Sequence, residues 1–513
     1  MRYLLAGAFV AFTAWGAAWG ATTASPVKIA DVAMKGDMDT LRSLVKQHPG
    51  DVNTAQPDGG TALLWAAYWN DEAAVEQLIA AGANVNAANR YGVTPLSQAC
   101  INGNAPMVEA LLKAGADANT FQAEGQTALM TAAKAGSADA VKALLDHGAE
   151  VNAKESWRGQ TALMWATAEN HPAVVEVLVN QGADVNAVSA VFDFSGMKPK
   201  PGDVPMHFPR GGFTALLFAA RGGFTECAKI LLDHGADLKI ADPDNTSALV
   251  LAIINGHFDT ATFLLDRKAD PNAADNMGRA ALFAAIDMRD IYSSNRPAPR
   301  ESNKIDPMDL IKLLLDHGAN VNAKLTKLIP ARAVLDFPDT MMGEGATPFL
   351  RAAKSADVPL MKLLLEKGAD PKVVTKGGVT ALMVAAGMGH ANTIRRGEQP
   401  IEAMKICLDK GVDINAATDK TLNTALHAAA GQGTDDIVQF LADHGAKLDL
   451  KDNKDRTPMD VALGLKADAV GVEVHQSTAD LLHKLMVQSG ITAEAQPVPA
   501  PAAQPVQPAV AAR

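Results

Sequence analysis

Large rings, cysteines and runs of like charge are all scarce in this 513-residue chain. Aromatic residues make up 5% of it against 48% hydrophobic residues overall, so its core must be filled with small aliphatic side chains such as Ala, Leu and Val. Three cysteines, Cys100, Cys227 and Cys407, are too few and too scattered for a disulfide framework, and no Cys pair has zinc-ligand spacing. No long Lys/Arg run occurs, and a net charge of −11 speaks against nucleic acid as a partner. No nucleophile-elbow serine, Gly-rich phosphate loop or cofactor motif appears. Beyond the first twenty residues no apolar stretch is long enough to span a bilayer.

The N-terminus differs from the rest. Met1-Arg2 is a short basic start, Leu4 to Trp19 is apolar, and Ala18-Trp19-Gly20 before Ala21 offers small residues where a signal peptidase cuts. Residues 1–20 are therefore expected to be an export signal, making the protein periplasmic or secreted. The absence of a following Cys argues against a lipid anchor, and an uncleaved membrane anchor is the alternative. Trp15 and Trp19 belong to this segment and not to the fold.

What the chain has in abundance is one unit, best seen in residues 125–152, GQTALMTAAKAGSADAVKALLDHGAEVN. Thr127 is placed to N-cap a short helix ending at Gly136, and Ser137 to cap a second. In the second helix Val141, Leu144 and Leu145 share one face, and Gly148 supplies a left-handed end. Such a pair cannot bury its apolar face alone. The capping position recurs at Thr61, Thr94, Thr127, Thr161, Thr214, Ser247, Ala280, Thr347, Thr380, Thr424 and Thr457. The glycine recurs at Gly82, Gly115, Gly148, Gly182, Gly235, Gly318, Gly368, Gly411 and Gly445, with Lys268 in its place once, where a looser helix end is expected.

The step of 33 residues from Thr61 to Thr94 to Thr127, the helix pair and the hairpin turn resemble the ankyrin repeat. The T-P-L of 92–119 and the A-L-H of 423–449 carry that family's signatures. The resemblance covers about 27–488, with about twelve repeats. It implies an all-α solenoid of stacked helix pairs joined by hairpin-like loops. Residues 27–53 are expected to be an N-terminal capping repeat, 54–189 repeats 2–5, and 212–322 repeats 6–8. Residues 345–455 are then repeats 9–11 and 456–488 a C-terminal cap. Four insertions break the period, at 187–211 (its loop proper 190–211), 288–306, 323–344 and 391–400, and prolines in the first and third disfavour regular structure there. The Pro/Ala-rich stretch 489–513 is expected to be a disordered tail. The His that follows T-P-L in the family survives only as His427, so apolar contacts through Leu64, Met130, Met164, Leu217 and Met383 replace polar ties. Ser97 stands in the same slot. In a linear stack the three cysteines lie in distant units and are expected to be buried and unpaired.

The histidines fall mostly on repeat slots. His147, His234, His317 and His444 precede the helix-ending glycine, and His171, His257 and His390 begin second helices. A metal site of His207 with Asp193 or Asp203 is conceivable, but lacks ligand spacing, and Asp242-Pro243-Asp244-Asn245 is a hairpin turn before it is a calcium loop. Catalysis and metal or cofactor binding have no constellation to stand on.

Binding does. The family's partner contacts, on a concave face, fall three and four residues before the capping Thr and seven and eight after it. Those slots hold Tyr68, Trp69, Arg90, Tyr91, Trp157, Arg158, Arg210 and Arg221. Trp, Tyr and Arg dominate protein-interface hot spots. Trp65 and Trp165, four after the Thr, are expected to be core. The insertion 187–211, with Phe192, Phe194 and Phe208, leaves beside this region and could gate it. The expectation is thus an exported, monomeric, non-enzymatic scaffold for a protein partner. The rivals are a secreted effector acting on another cell's proteins and a ligand or metal sensor built on the insertions.

Overall fold

The computed structural model describes residues 28–192, 210–290, 302–329, 339, 341–389, 399–466 and 473–491. The export signal, His207 with Asp193 and Asp203, Phe194, Phe208, His390, most of the insertions 187–211, 288–306 and 391–400, residues 330–338 and 340 of the insertion 323–344 and nearly all of the tail lie outside the described residues, as does the side chain of Arg210. Contacts divide the chain into two compact units, Met1–Glu150 and Val151–Arg513. Both are built from the same helix pair.

In the repeat at 125–152 the backbone of Thr127 is extended and its hydroxyl accepts the Met130 N–H at 3.2 Å, opening the helix Ala128–Ala135. Gly136 closes that helix at φ +82°. Ser137 occupies the start of the second helix, Ala138–Asp146, yet makes no capping bond through its side chain. Burial of Ala140, Val141 and Leu144 holds this helix instead, with Leu145 at the margin. The same hydroxyl cap recurs at Thr61, Thr94, Thr161, Thr214, Ser247, Thr347, Thr380, Thr424 and Thr457.

The glycines that end second helices from Gly82 to Gly445 have φ between +76° and +92°. Lys268 corrects the expectation of a looser end. It takes φ +69°, its N–H reaches the Leu265 carbonyl at 2.8 Å and the next N–H reaches Leu264 at 2.9 Å. The packed neighbours impose the left-handed turn, at an intrinsic cost of about 1–2 kcal/mol for a side chain there. His147, His234, His317 and His444 each place Nδ1 within 2.7–2.9 Å of the carbonyl four residues back, closing the last turn.

Two hydrogen-bond rows join repeats within each unit. In one, an exit-turn asparagine clasps the next repeat: Asn53 donates to the Gly82 carbonyl at 2.9 Å and accepts from the Asn84 N–H at 2.6 Å. Asn86, Asn119, Asn152, Asn186, Asn272, Asn322 and Asn415 repeat the clasp. Lys239 and Lys372 stand in the same slot, and among the described residues their side chains make no such bond. The second row links hairpin tips, as where the Arg90 N–H meets the Asp58 carbonyl and the Ala190 N–H the Arg158 carbonyl, both at 2.7 Å. His427 adds a tie of its own, Nε2 lying 3.1 Å from the Arg456 carbonyl. Ser97 closes on Thr94 within its own turn and ties nothing else.

The insertion at 187–211 departs from the expectation of no regular structure. Val191–Phe192 and Arg210–Gly211 form a two-residue antiparallel pair, with Val191 opposite Gly211 and Phe192 opposite Arg210. The prolines of this insertion all fall between 199 and 209, leaving its stem free to pair. Gly211 is required there, because a Cβ would sit 1.9 Å from the Ala190 carbonyl oxygen.

The three cysteines are buried and unpaired. Burial pushes the Cys407 thiol up to about 12 and, with the Glu226 charge adding, that of Cys227 to about 11, so neither is a thiolate at neutral pH.

Candidate interaction site

In the N-terminal unit the helix Ala62–Tyr68 and its C-cap Trp69 carry three rings in edge-to-face contact. Trp65 meets Tyr68 at 5.6 Å between centroids, and Tyr68 meets Trp69 at 5.2 Å. Tyr68 and Trp69 are about half exposed, as slot residues should be. Trp69 also has a structural task. Its Nε1 donates to the Ala33 carbonyl at 3.0 Å, and its ring lies over Gly36. Asn102, in the same slot one repeat on, does the like to Ala67 at 2.8 Å, so this position caps the helix end of the repeat before it. Trp65 is not core. It is half-buried, with Nε1 on the Gln56 side-chain oxygen at 2.7 Å. At the next hairpin tip Arg90 stacks on Tyr91, 4.8 Å from Cζ to ring centroid, and donates to its hydroxyl at 2.6 Å.

In the C-terminal unit the tip at 155–160 is organised by one buried carboxylate. Glu155 accepts the N–H groups of Trp157 at 2.7 Å and of Arg158 and Gln160 at 2.9 Å. Asp275 and Asp452 serve their own tips in this way. The tip before Thr161 is one residue longer, and glutamate, one methylene longer than aspartate, spans it. This turn projects Trp157, 57% exposed, with the Arg158 Cζ stacked 4.2 Å from its ring centroid.

The insertion's stem brings a second arginine to this place. Ala190 bonds the Arg158 carbonyl, while neighbouring Ser189 holds Phe213 through N–H and hydroxyl at 3.0 and 2.9 Å. Phe213 packs on Phe218 at 5.3 Å, and Phe218 is buried against Met164 and Ala187. Arg221, from the helix Ala215–Gly222, lies with Cζ 5.0 Å from both ring centroids. Burial, and secondly the Arg158 charge, lower the Arg221 pKa from its ordinary value, and as a guanidinium it stays cationic at neutral pH. Trp165, expected in the core, is half-buried beside this face. Arg210 contributes its backbone to the stem.

Of the eight slot residues, Tyr68 and Trp69 thus share one patch, Arg90 and Tyr91 another, and Trp157, Arg158 and Arg221 a third. Sequence reasoning missed Phe213 and Phe218. A ring just before the capping Thr and another four after it, three residues ahead of Arg221, was the available signal.

The family profile for ankyrin repeats (3 copies) matches residues 29–122, 115–189, 201–275, 302–396 and 395–472. The chain belongs to the ankyrin-repeat family. Among curated relatives, rat cyclin-dependent kinase 4 inhibitor B is 31% identical over 141 residues, 27% of this chain and 100% of that protein. The Notch protein of Drosophila melanogaster is 37% identical over 100 residues, 18% of this chain and 4% of its own length. Human ankyrin repeat and SOCS box protein 16 is 29% identical over 211 residues, 38% of this chain and 46% of that one. Of the Notch protein and the SOCS box protein, therefore, the chain spans less than half. The crystal structure of the human ASB11 ankyrin repeat domain is 26% identical and overlaps 48% of this ankyrin chain and 99% of its own, with a TM-score of 0.39. Ankyrin repeats are protein–protein interaction scaffolds, and no helix among the described residues is long and apolar enough to cross a membrane.

Proposed function

We propose that this ankyrin protein is an exported scaffold that holds a partner protein on its hairpin tips and first helices, the family's concave face. The observation that carries the reading is the exposed arginine-on-ring stack at Trp157–Arg158 together with Arg221 over Phe213 and Phe218. Planar, pre-stacked side chains lose little freedom on binding and bury large areas. Tyr68, Trp69, Arg90, Tyr91 and Arg210 belong to the proposed contact set. Export rests on the sequence of residues 1–20 alone.

The test is affinity capture from the exported compartment with the chain and two double variants, Trp157→Ala/Arg221→Ala and Tyr68→Ala/Tyr91→Ala. Loss of the captured protein with unchanged helicity and melting is expected for the first pair at least. Capture by the Trp157→Ala/Arg221→Ala variant equal to that by the unaltered chain would sink the proposal.

A further inference from the structure

We infer that the corner formed by Trp157, Arg158, Phe213 and Arg221 receives an acidic segment of the partner protein, its carboxylates on the two guanidiniums and its apolar side chains against the rings. This rests on the docking role proposed above and names the chemistry of what docks.

The first observation is the company arginines keep. Arg42, Arg267, Arg279, Arg289, Arg351 and Arg456 each hold an aspartate of this chain. Among the described residues Arg158 and Arg221 hold none, and their Cζ atoms lie 4.2 and 5.0 Å from ring centroids instead. With 57 acidic residues against 46 Lys and Arg, a carboxylate partner is the ordinary fate of an arginine in this chain. Arg90 is a further exception, but it stands in the N-terminal unit and bonds the Tyr91 hydroxyl.

The second observation is placement. Both arginines are tied to adjacent residues at the base of one stem, Arg158 through its backbone carbonyl on the Ala190 N–H and Arg221 through the Phe213 ring, whose backbone Ser189 holds. The Arg158 charge is near enough to Arg221 to act on its protonation. Two like charges kept close without a counter-ion repel each other, and a bound anion relieves that repulsion. The carboxylate of the same turn, Glu155, is occupied by backbone N–H groups and buried beneath.

The third observation is the setting. Guanidiniums bind carboxylates in bidentate fashion, and flanking apolar surface lowers the local dielectric and strengthens the pair. A chain of net charge −11 repels a phosphate polymer over its length, so a short acidic stretch with apolar residues suits two cations better than a nucleic acid does.

The experiment is an array of peptides of about twelve residues, each in matched Glu and Gln versions, with single-stranded oligonucleotides on the same surface. It is probed with the full chain and with its Arg158→Gln/Arg221→Gln variant. The expected result is enrichment of Glu versions, about tenfold weaker binding by the variant, and loss of the enrichment at high salt. Equal retention of Glu and Gln versions, an unaltered variant, or preference for oligonucleotide overturns the inference. Partner capture separates the two levels. If Trp157→Ala/Arg221→Ala abolishes capture while the array shows no Glu enrichment, docking stands and the acidic class falls; if capture is unaffected, both fall.

Discussion

Counting from the capping Thr, positions four and seven hold Phe218 and Arg221 in one repeat and Arg351 and Lys354 in another. Arg221 is exposed and lies over two rings. Arg351 is 1% exposed, with Nε on Asp287 at 2.7 Å and Nη1 on Ser355 at 2.8 Å. Lys354 is 0% exposed and paired with Asp339, which belongs to the insertion 323–344, while Met341 of that insertion lies against Gly389. The same slot thus faces solvent in one repeat and lies under inserted chain in the other. What differs between these two repeats is the cover, and with it the partner: the covered Arg351 and Lys354 have carboxylates from this chain, and the open Arg221 has rings.

The largest expected effect tests that division directly. Arg351→Ala strands the half-buried Asp287 and should cost about 3–5 kcal/mol, whereas Arg221→Ala, an exposed stack, should cost about 1 kcal/mol or less. Shifts in urea midpoint, compared at constant slope, measure both, and equal losses would erase the distinction. Next, Asp339→Asn removes the counter-charge of Lys354 and should cost about 2 kcal/mol at neutral pH. Its pH dependence has a definite sign. Burial already holds the Lys354 pKa below 10.5, so the folded protein binds fewer protons than the unfolded chain between that lowered value and 10.5, and stability rises with pH across the window. Loss of Asp339 lowers the folded value further and widens the window, so the alkaline rise in melting temperature should steepen; an unchanged rise would mean that Asp339 does not hold the ammonium.

Smaller effects probe the two tryptophans that sequence places in equivalent roles. Trp69→Ala loses a hydrogen bond to Ala33 and packing on Gly36, and should cost about 1–2 kcal/mol. Trp157→Ala loses only a surface stack and should cost about 0.5 kcal/mol, read as hydrogen-exchange protection in the adjoining repeats. Were Trp157 the costlier of the two, its exposure would be serving the fold and not a partner.

The stacked helix pairs were legible in the sequence because their signals are local. A hydroxyl three residues ahead of an N–H and a glycine at a left-handed turn need only their own repeat, which is why Thr61 through Thr457 could be named in advance. Burial was not legible where a second segment decides it. Lys354 has the sequence of a surface lysine and becomes core where Asp339 of the insertion 323–344 returns to it. Trp65 and Trp165 have the sequence of core residues, yet both are only half-buried. At the candidate site the arginines could be named from the repeat frame. Phe213 and Phe218 could not be linked to them, since the stem that brings them together spans an insertion with no period to read.

The row of asparagine clasps has a mechanical consequence. Loaded from its two ends, a stack of repeats is a set of springs in series, and each clasp stiffens one joint by tying an exit turn to the helix end of the next repeat. Within the C-terminal unit the joints after Lys239 and Lys372 lack the tie. Extension should concentrate there, so that under tension the unit parts first into blocks bounded at those two lysines, and installing asparagine at either should raise the force at which that joint opens.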